Sequence, residues 1–418
     1  MKNTIFTIML GAAALVACGP ANAETSSVVK PGVEVLRNNN FEGLRGKRVG
    51  LITNPTGVDN NLKSTVDILA EAKDVKLVGL YGPEHGVRGD VHAGDHVDNS
   101  VDEATGVPVY SIYGKNRKPS PEMLKDVDVL VYDIQDNGCR SFTFISTMGL
   151  AMEACAELGK EFMVLDRPNP VGGNKIEGNL TEPDCVSFVS QFPIPYLYGL
   201  TPGELAQYLN EEGLLKDGKK VKLTVVPMEG YTRDMDFRET GMPWVLPSPH
   251  MPTPESVTYY PATGILGELY YMSIGVGYTL PFKLLCAEWI DADQFAKALN
   301  AKNIPGVTFR PIHIKPFYST GKGENLQGVE IYVTDREKAP LSLVQFHAME
   351  VMNELYPEQG RIFERADSAR FNMFDKVVGS KQIRQLFSKN YKVADMEEYW
   401  NKDNEKFRAA SAKYHLYK

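Results

Sequence analysis

Residues 127–136 read Val127-Asp128-Val129-Leu130-Val131-Tyr132-Asp133-Ile134-Gln135-Asp136, an apolar run that stops on a cluster of carboxylates and amides. A strand apolar at nearly every position is buried on both faces, and such strands belong to parallel sheets with helices packed on either side. Four more short runs rich in Val, Ile and Leu lie around it, at Arg48–Thr53, Lys76–Tyr81, Val107–Ile112 and Phe162–Asp166. Helical patterns fill Leu62–Ala72 and Phe144–Leu158 between them. This alternation predicts an α/β fold, with a Rossmann-like parallel sheet domain over residues 33–200. No Gly-x-Gly-x-x-Gly opens a helix after the first strand, so no dinucleotide is implied.

From Thr201 the pattern changes, and residues 201–418 read as a smaller α+β domain closing a cleft over the first. Thr201-Pro202-Gly203-Glu204 has the form of a capping box with proline at the first helical position, and Asp291 with Gln294 caps another helix. Lys222–Pro227, Thr308–Ile314 and Gly328–Thr334 read as strands, Ser342–Leu355 and Asp395–Lys413 as helices. Five prolines between Met242 and Pro254 forbid a helix there, and the interleaved Trp244 and His250 mark the segment as a packed loop.

The chain of 418 residues is 43% hydrophobic and 23% charged, the composition of a folded protein, and its length suits two packed units. A net charge of -8 repels a phosphate backbone, which excludes nucleic acid as a partner class. Residues 1–23 read as an export leader: Lys2 precedes an apolar run from Ile5 to Val16 that is too short to span a bilayer. Leu15-Val16-Ala17-Cys18 has the form of a bacterial lipobox, which would lipidate Cys18, while Ala21-Asn22-Ala23 has the form of an ordinary cleavage site. An exported, periplasmic protein follows from either reading, anchored to the membrane in the first. Cys139, Cys155, Cys185 and Cys286 are scattered and read as buried free thiols.

The strand ends carry the chemistry. Thr53-Asn54, Glu84-His85, Asp133 to Asp136 and Asp166-Arg167 each end a strand, and in an open parallel sheet all such ends lie along one edge, where ligands bind. Arg88, Arg140 and Arg167 follow strand ends, and at least one is expected to hold a ligand carboxylate or phosphate; their alternative fate is an internal bridge to Asp133, Asp136 or Asp166. Glu84 and Glu177 are the candidate acids for a two-carboxylate hydrolysis, against the commoner fate of a turn carboxylate as cap or ion pair. His85, His92 and His96 with Glu84, Asp90 and Asp95 raise a metallohydrolase alternative, weakened by Gly86, Gly89 and Gly94, which make the segment a loop. No Gly-x-Ser-x-Gly elbow is present, and Ser273 lacks its context.

Five motifs, taken together, resemble the exo-β-N-acetylmuramidase family called NamZ, long carried as a domain of unknown function. They are Gly50-Leu51-Ile52-Thr53-Asn54; Gly82-Pro83-Glu84-His85-Gly86 with Arg88-Gly89; Asp133-Ile134-Gln135-Asp136; Leu165-Asp166-Arg167-Pro168-Asn169-Pro170; and Leu246-Pro247-Ser248-Pro249. The resemblance runs in order through nearly the whole mature chain. It implies a glycoside hydrolase that releases N-acetylmuramic acid from the non-reducing end of peptidoglycan fragments, in a cleft between two domains, with no metal and no organic cofactor. It implies Glu84 as general acid, with Glu177 as its partner. Asn54, His85, Arg88, Asp133, Gln135, Asp136, Arg140, Asp166, Arg167, Asn169 and His250 become the expected substrate contacts. The 2-acetamido group of such a substrate also allows it to supply its own nucleophile, oriented by Asp133, Asp136 or Glu177.

Three segments depart from the family pattern. Leu197-Tyr198-Gly199 stands where many relatives have Arg-His-Gly, Ser273-Ile274-Gly275-Val276-Gly277 where they have Ser-Glu-Gly-Arg-Gly, and His250 where they have Asn. These losses motivate a second expectation, a catalytically degenerate protein that binds cell-wall sugars.

Overall fold

The computed structural model describes residues 28–89 and 100–418. The leader with Cys18, and Asp90, His92, Asp95 and His96, lie outside the described residues.

Twelve strands are described, in three sheets. In chain order they are β1 (Arg48–Thr53), β2 (Lys76–Gly82), β3 (Ser100–Val101), β4 (Pro108–Ser111), β5 (Val129–Asp133), β6 (Glu161–Leu165), β7 (Ile176–Glu177), β8 (Leu197–Tyr198), β9 (Lys222–Val226), β10 (Leu284–Ala287), β11 (Val307–Ile314) and β12 (Leu326–Val333). The main sheet has the order β3-β4-β2-β1-β5-β6-β9, parallel throughout except for the β3–β4 edge hairpin. The order reverses between β1 and β5, the topological switch point of a doubly wound sheet.

The strands' side chains alternate between two cores. Val49, Leu51, Val129, Val131 and Leu165 face helices α1 (Gly32–Asn38) and α2 (Thr65–Glu71). Ile52, Leu130, Tyr132, Phe162 and Val164 face the other side, toward α4 (Phe144–Leu158) and α5 (Pro202–Glu211); the short α3 (Pro121–Leu124) precedes β5. Apolar residues are therefore needed at every strand position, which is the pattern seen in the sequence. Helix α2 begins at Thr65, later than its periodicity suggests: Leu62 takes φ +63°, and Ser64 caps the helix by accepting from the Asp67 amide.

The expected boundary at Thr201 falls inside this unit. The Thr201–Glu204 capping box starts α5 as anticipated, but α5 packs on β6 and β9, and β9 extends the sheet by pairing with β6. The second unit is an antiparallel sheet, β10-β12-β11, with α6 (Ser256–Gly267), α7 (Ala292–Ala301) and α8 (Val344–Leu355) around a core of Phe295, Leu299, Phe309, Val329 and Ile331. Helix α6 forms despite an internal Pro261, and Asp291 caps α7 by accepting from the Gln294 amide. The short helices α9 (Ile362–Arg365), α10 (Phe371–Val378), α11 (Lys381–Asn390) and α12 (Glu397–Asn401) follow. The final α13 (Asn404–Ser411) carries the chain back to the first unit, where Phe407 and Tyr414 pack edge-on against Tyr208. Residues 201–226 and the terminal segment thus belong with the parallel sheet, because their apolar side chains complete its outer layer.

The four described cysteines are buried and unpaired with one another, and burial pushes the thiols of Cys139, Cys155 and Cys286 up to about 12. Among the described residues, no helix is long and apolar enough to cross a membrane.

Candidate active site

A cleft of about 670 Å³ opens between the two units. Glu84, His85, Tyr113, Arg117 and Thr143 line it from the first unit, and His250, Tyr260, Glu268, Ile274, Val276 and Lys376 complete its wall.

Glu84 is delivered by the turn that ends β2. Pro83 accepts from the Gly86 amide at 3.0 Å, and His85 and Gly86 both adopt left-handed backbone, with φ +73° and +75°. That conformation costs a non-glycine residue about 1 kcal/mol, and here it turns the chain sharply at the sheet edge. The Tyr113 hydroxyl, beyond β4, donates to Glu84 Oε1 at 2.8 Å, and the Thr143 hydroxyl, ahead of α4, donates to Oε2 at 3.0 Å. Both carboxylate oxygens are thereby oriented by groups from neighbouring strand ends. Burial and the adjacent carboxylate push the Tyr113 phenol up, so it stays a donor.

Sequence reasoning missed Glu268. It follows the last turn of α6, a lone acid between Ile265-Leu266-Gly267 and Leu269-Tyr270-Tyr271-Met272. A single carboxylate in so apolar a stretch was the available signal. Burial pushes its carboxyl up, and Arg370 opposes the shift, donating from Nη2 to Oε2 at 3.2 Å and from Nε to the Glu268 carbonyl at 2.8 Å. His250 lines the same cleft, with Nε2 2.9 Å from the Tyr318 hydroxyl.

The other expected contacts gather at the switch point, as the sheet topology requires, but they engage one another. Arg167 donates from Nε to Asp133 Oδ1 at 2.5 Å and from Nη2 to Oδ2 at 3.0 Å, and Thr65 adds a hydroxyl donor to Oδ2. Asn54 accepts from Thr56, and Gln135 donates to the carbonyls of Asp136 and Pro168. Asn169 donates to the Leu200 carbonyl and accepts from the Val171 amide. Asp136 accepts from Tyr198 and Gly138, and Asp166 from Thr201, Gly203 and Tyr417. Burial raises the carboxyls of both Asp136 and Asp166 to about 7. None of these residues lines the cleft, so the expectation of open substrate contacts is corrected to a buried framework.

The three arginines are corrected in the same way. Arg88 is bound by Asp102, with Nε to Oδ2 at 2.8 Å, and Arg167 by Asp133. Arg140 is fully buried between the units, donating to the carbonyls of Asn179, Ile194, Val377 and Val378. Val377 and Val378 close the C-terminal end of α10, where exposed carbonyls favour a cation. Gly379 follows at φ +79°, and a Cβ there would lie 2.4 Å from Arg140 Nη2.

Glu177 is also corrected. It lies in β7, outside the cleft, and its carboxylate accepts from the Leu341 and Ser342 amides and the Ser342 hydroxyl while pairing with Lys175 at 3.2 Å. It caps the turn leading into α8 and fastens the second unit to the first. With Asp133, Asp136 and Glu177 all engaged internally, none is placed to orient an acetamido nucleophile. Among the described residues, no three His, Cys, Asp or Glu side chains cluster to hold a metal.

Comparison with known proteins adds the lineage of this geometry. Residues 49–255 match the family described as "Exo-beta-N-acetylmuramidase NamZ, N-terminal", and residues 258–417 match its C-terminal counterpart. The chain belongs to the NamZ family. It is 45% identical over the full length of both chains to a Bacillus subtilis (strain 168) protein named "Peptidoglycan beta-N-acetylmuramidase NamZ". Among solved structures, a DUF1343 family protein from Bacteroides fragilis NCTC 9343 is 60% identical with a TM-score of 0.90, covering 93% of this chain and 99% of its own. A second from the same strain is 26% identical with a TM-score of 0.73, covering 94% and 99%. Seen on the NamZ fold, the departures divide. Tyr198 of Leu197-Tyr198-Gly199 is buried and donates to Asp136, away from the cleft, whereas Ile274, Val276 and His250 line it.

Proposed function

We propose that the protein is an exo-acting β-N-acetylmuramidase that releases N-acetylmuramic acid from the non-reducing end of peptidoglycan fragments. The observation that carries this reading is the presence of two carboxylates, Glu84 and Glu268, from different units in one cleft. Glycoside cleavage needs a proton for the departing oxygen and a carboxylate acting on water or on the anomeric carbon. Burial favours protonated Glu268 and suits it to give that proton. Glu84, held by two hydroxyl donors, is the oriented carboxylate opposite. This exchanges the acid role expected for Glu84 from the sequence and replaces Glu177 with Glu268.

The test is turnover of a MurNAc–GlcNAc disaccharide and of 4-nitrophenyl β-MurNAc, without added metal. Glu84→Gln is expected to lose about 10³-fold or more on both, a magnitude typical of removing an acid–base group or nucleophile. Glu268→Gln should lose as much on the disaccharide but far less on the aryl glycoside, whose leaving group departs without a proton. Wild-type-like cleavage of the disaccharide by either variant sinks its assignment. Calorimetric binding of the disaccharide with no turnover by wild type replaces the enzyme with a degenerate sugar-binding protein.

Export follows as part of the same proposal, since the substrate is outside the cytoplasm and residues 1–23 have the form of a leader. The intact mass of the mature chain separates a lipidated Cys18 from cleavage after Ala23.

A further inference from the structure

We infer that Arg117 and Lys376 form a clamp for the carboxylate on the substrate's lactyl ether, and so make the site select a muramic sugar over an uncharged N-acetylhexosamine. The inference rests on the muramidase reading and adds the residues that discriminate.

A ligand carrying a carboxylate enters a cleft that already holds Glu84 and Glu268, in a protein of net charge -8. The Glu84 carboxylate disfavours a second anion beside it, and the global charge gives no help. Binding therefore requires local cations that are not already neutralised. Arg88 and Arg167 are paired with carboxylates, Arg140 is spent on carbonyls, and Arg370 is paired with Glu268. Among the described residues, Arg117 and Lys376 are the Lys and Arg side chains that line the cleft, and neither makes an ion pair with a described carboxylate.

Their chemistry is complementary. The Arg117 guanidinium carbon stands 4.4 Å from the centroid of the Phe188 ring, itself part of the cleft wall. A guanidinium held over an aromatic ring can still donate through its N–H groups, in bidentate fashion, to a carboxylate. Phe188 also lies 6.3 Å from Tyr113, whose hydroxyl holds Glu84, so Arg117 is tied to the reacting region through two packed rings. Lys376, on α10, brings a mobile point charge from the second unit. An anion between them is contacted from both sides of the cleft.

The test compares 4-nitrophenyl β-MurNAc with its lactyl methyl ester, which keeps the leaving group and adds one methyl while removing the charge. Wild type should prefer the acid. Arg117→Ala and Lys376→Ala should each lower kcat/KM on the acid about 10- to 100-fold, mostly through KM, the range of a lost charge-assisted hydrogen bond. On the ester they should leave kcat/KM within about threefold, and Arg117→Lys should restore part of the preference. Equal losses on acid and ester, or none on either, overturn the clamp. A wild type that cleaves the ester as well as the acid also overturns it while leaving the muramidase reading standing; one that cleaves neither overturns that reading itself.

Discussion

Two crevices lie along the same carboxyl edge of the parallel sheet, and they use the same kinds of residue to opposite ends. At the switch point between β1 and β5, Asp133 meets Arg167 with both side chains at most 2% exposed. On the neighbouring strands, beyond β2 and β4, Glu84 accepts from two neutral hydroxyls among the described residues, and Arg117 and Lys376 have no described carboxylate to pair with. In open α/β sheets the switch point is the usual ligand site. Here the protein's own guanidinium occupies it, and the ligand site is displaced sideways to where a second unit can supply the opposite wall. A charge satisfied within the chain is a framework; a charge left facing solvent in a cleft is what a ligand can use.

The largest expected effect separates the two crevices by stability. Arg167→Ala leaves the Asp133 carboxylate buried without its cation, a change that costs about 3–5 kcal/mol. Urea unfolding should show that loss, whereas Glu84→Gln, with its hydroxyl donors still able to bond the amide, should change stability by under about 1 kcal/mol. Glu177→Ala belongs with the framework at smaller scale. It strands two buried amides and a hydroxyl, for a loss of about 2 kcal/mol, and below its unfolding temperature should retain turnover within about threefold. An Arg167 variant of full stability but no activity would break the distinction and return the switch point to the active site.

How much of this was legible beforehand follows the range of the forces involved. Strands and caps depend on neighbours in sequence, so β1, β5, α4 and the Thr201 and Asp291 caps are readable from periodicity and side-chain type. The edge on which Asn54, Glu84, Asp133 and Arg167 gather is readable too, because parallel topology dictates it. Which carboxylate meets which arginine is a matter of a few ångströms across distant segments. Glu177 and Glu84 both look like turn acids in sequence, yet one faces the Leu341 and Ser342 amides, more than 160 positions away, and the other faces a cleft. The unit boundary was obscured for a similar reason: β9 pairs through its backbone, and backbone pairing leaves no mark at Thr201.

The smallest effect concerns protons held inside the framework. Asp136 is wholly buried, Tyr198 and Gly138 donate to its Oδ2, and burial raises its carboxyl to about 7. In the unfolded chain an aspartate titrates near ~3.9, so between these values the folded state holds a proton that the unfolded state has released. Stability is then full below about pH 4 and declines as pH rises toward and through 7, the reverse of a salt-bridged carboxylate. Asp136→Asn cannot ionise. Measured by denaturant unfolding at pH 5 and pH 8, wild type should lose about 1–3 kcal/mol relative to the variant over that interval. Parallel curves would mean that Asp136 keeps one charge state throughout, and a charged Asp136 would need a cation the framework does not give it.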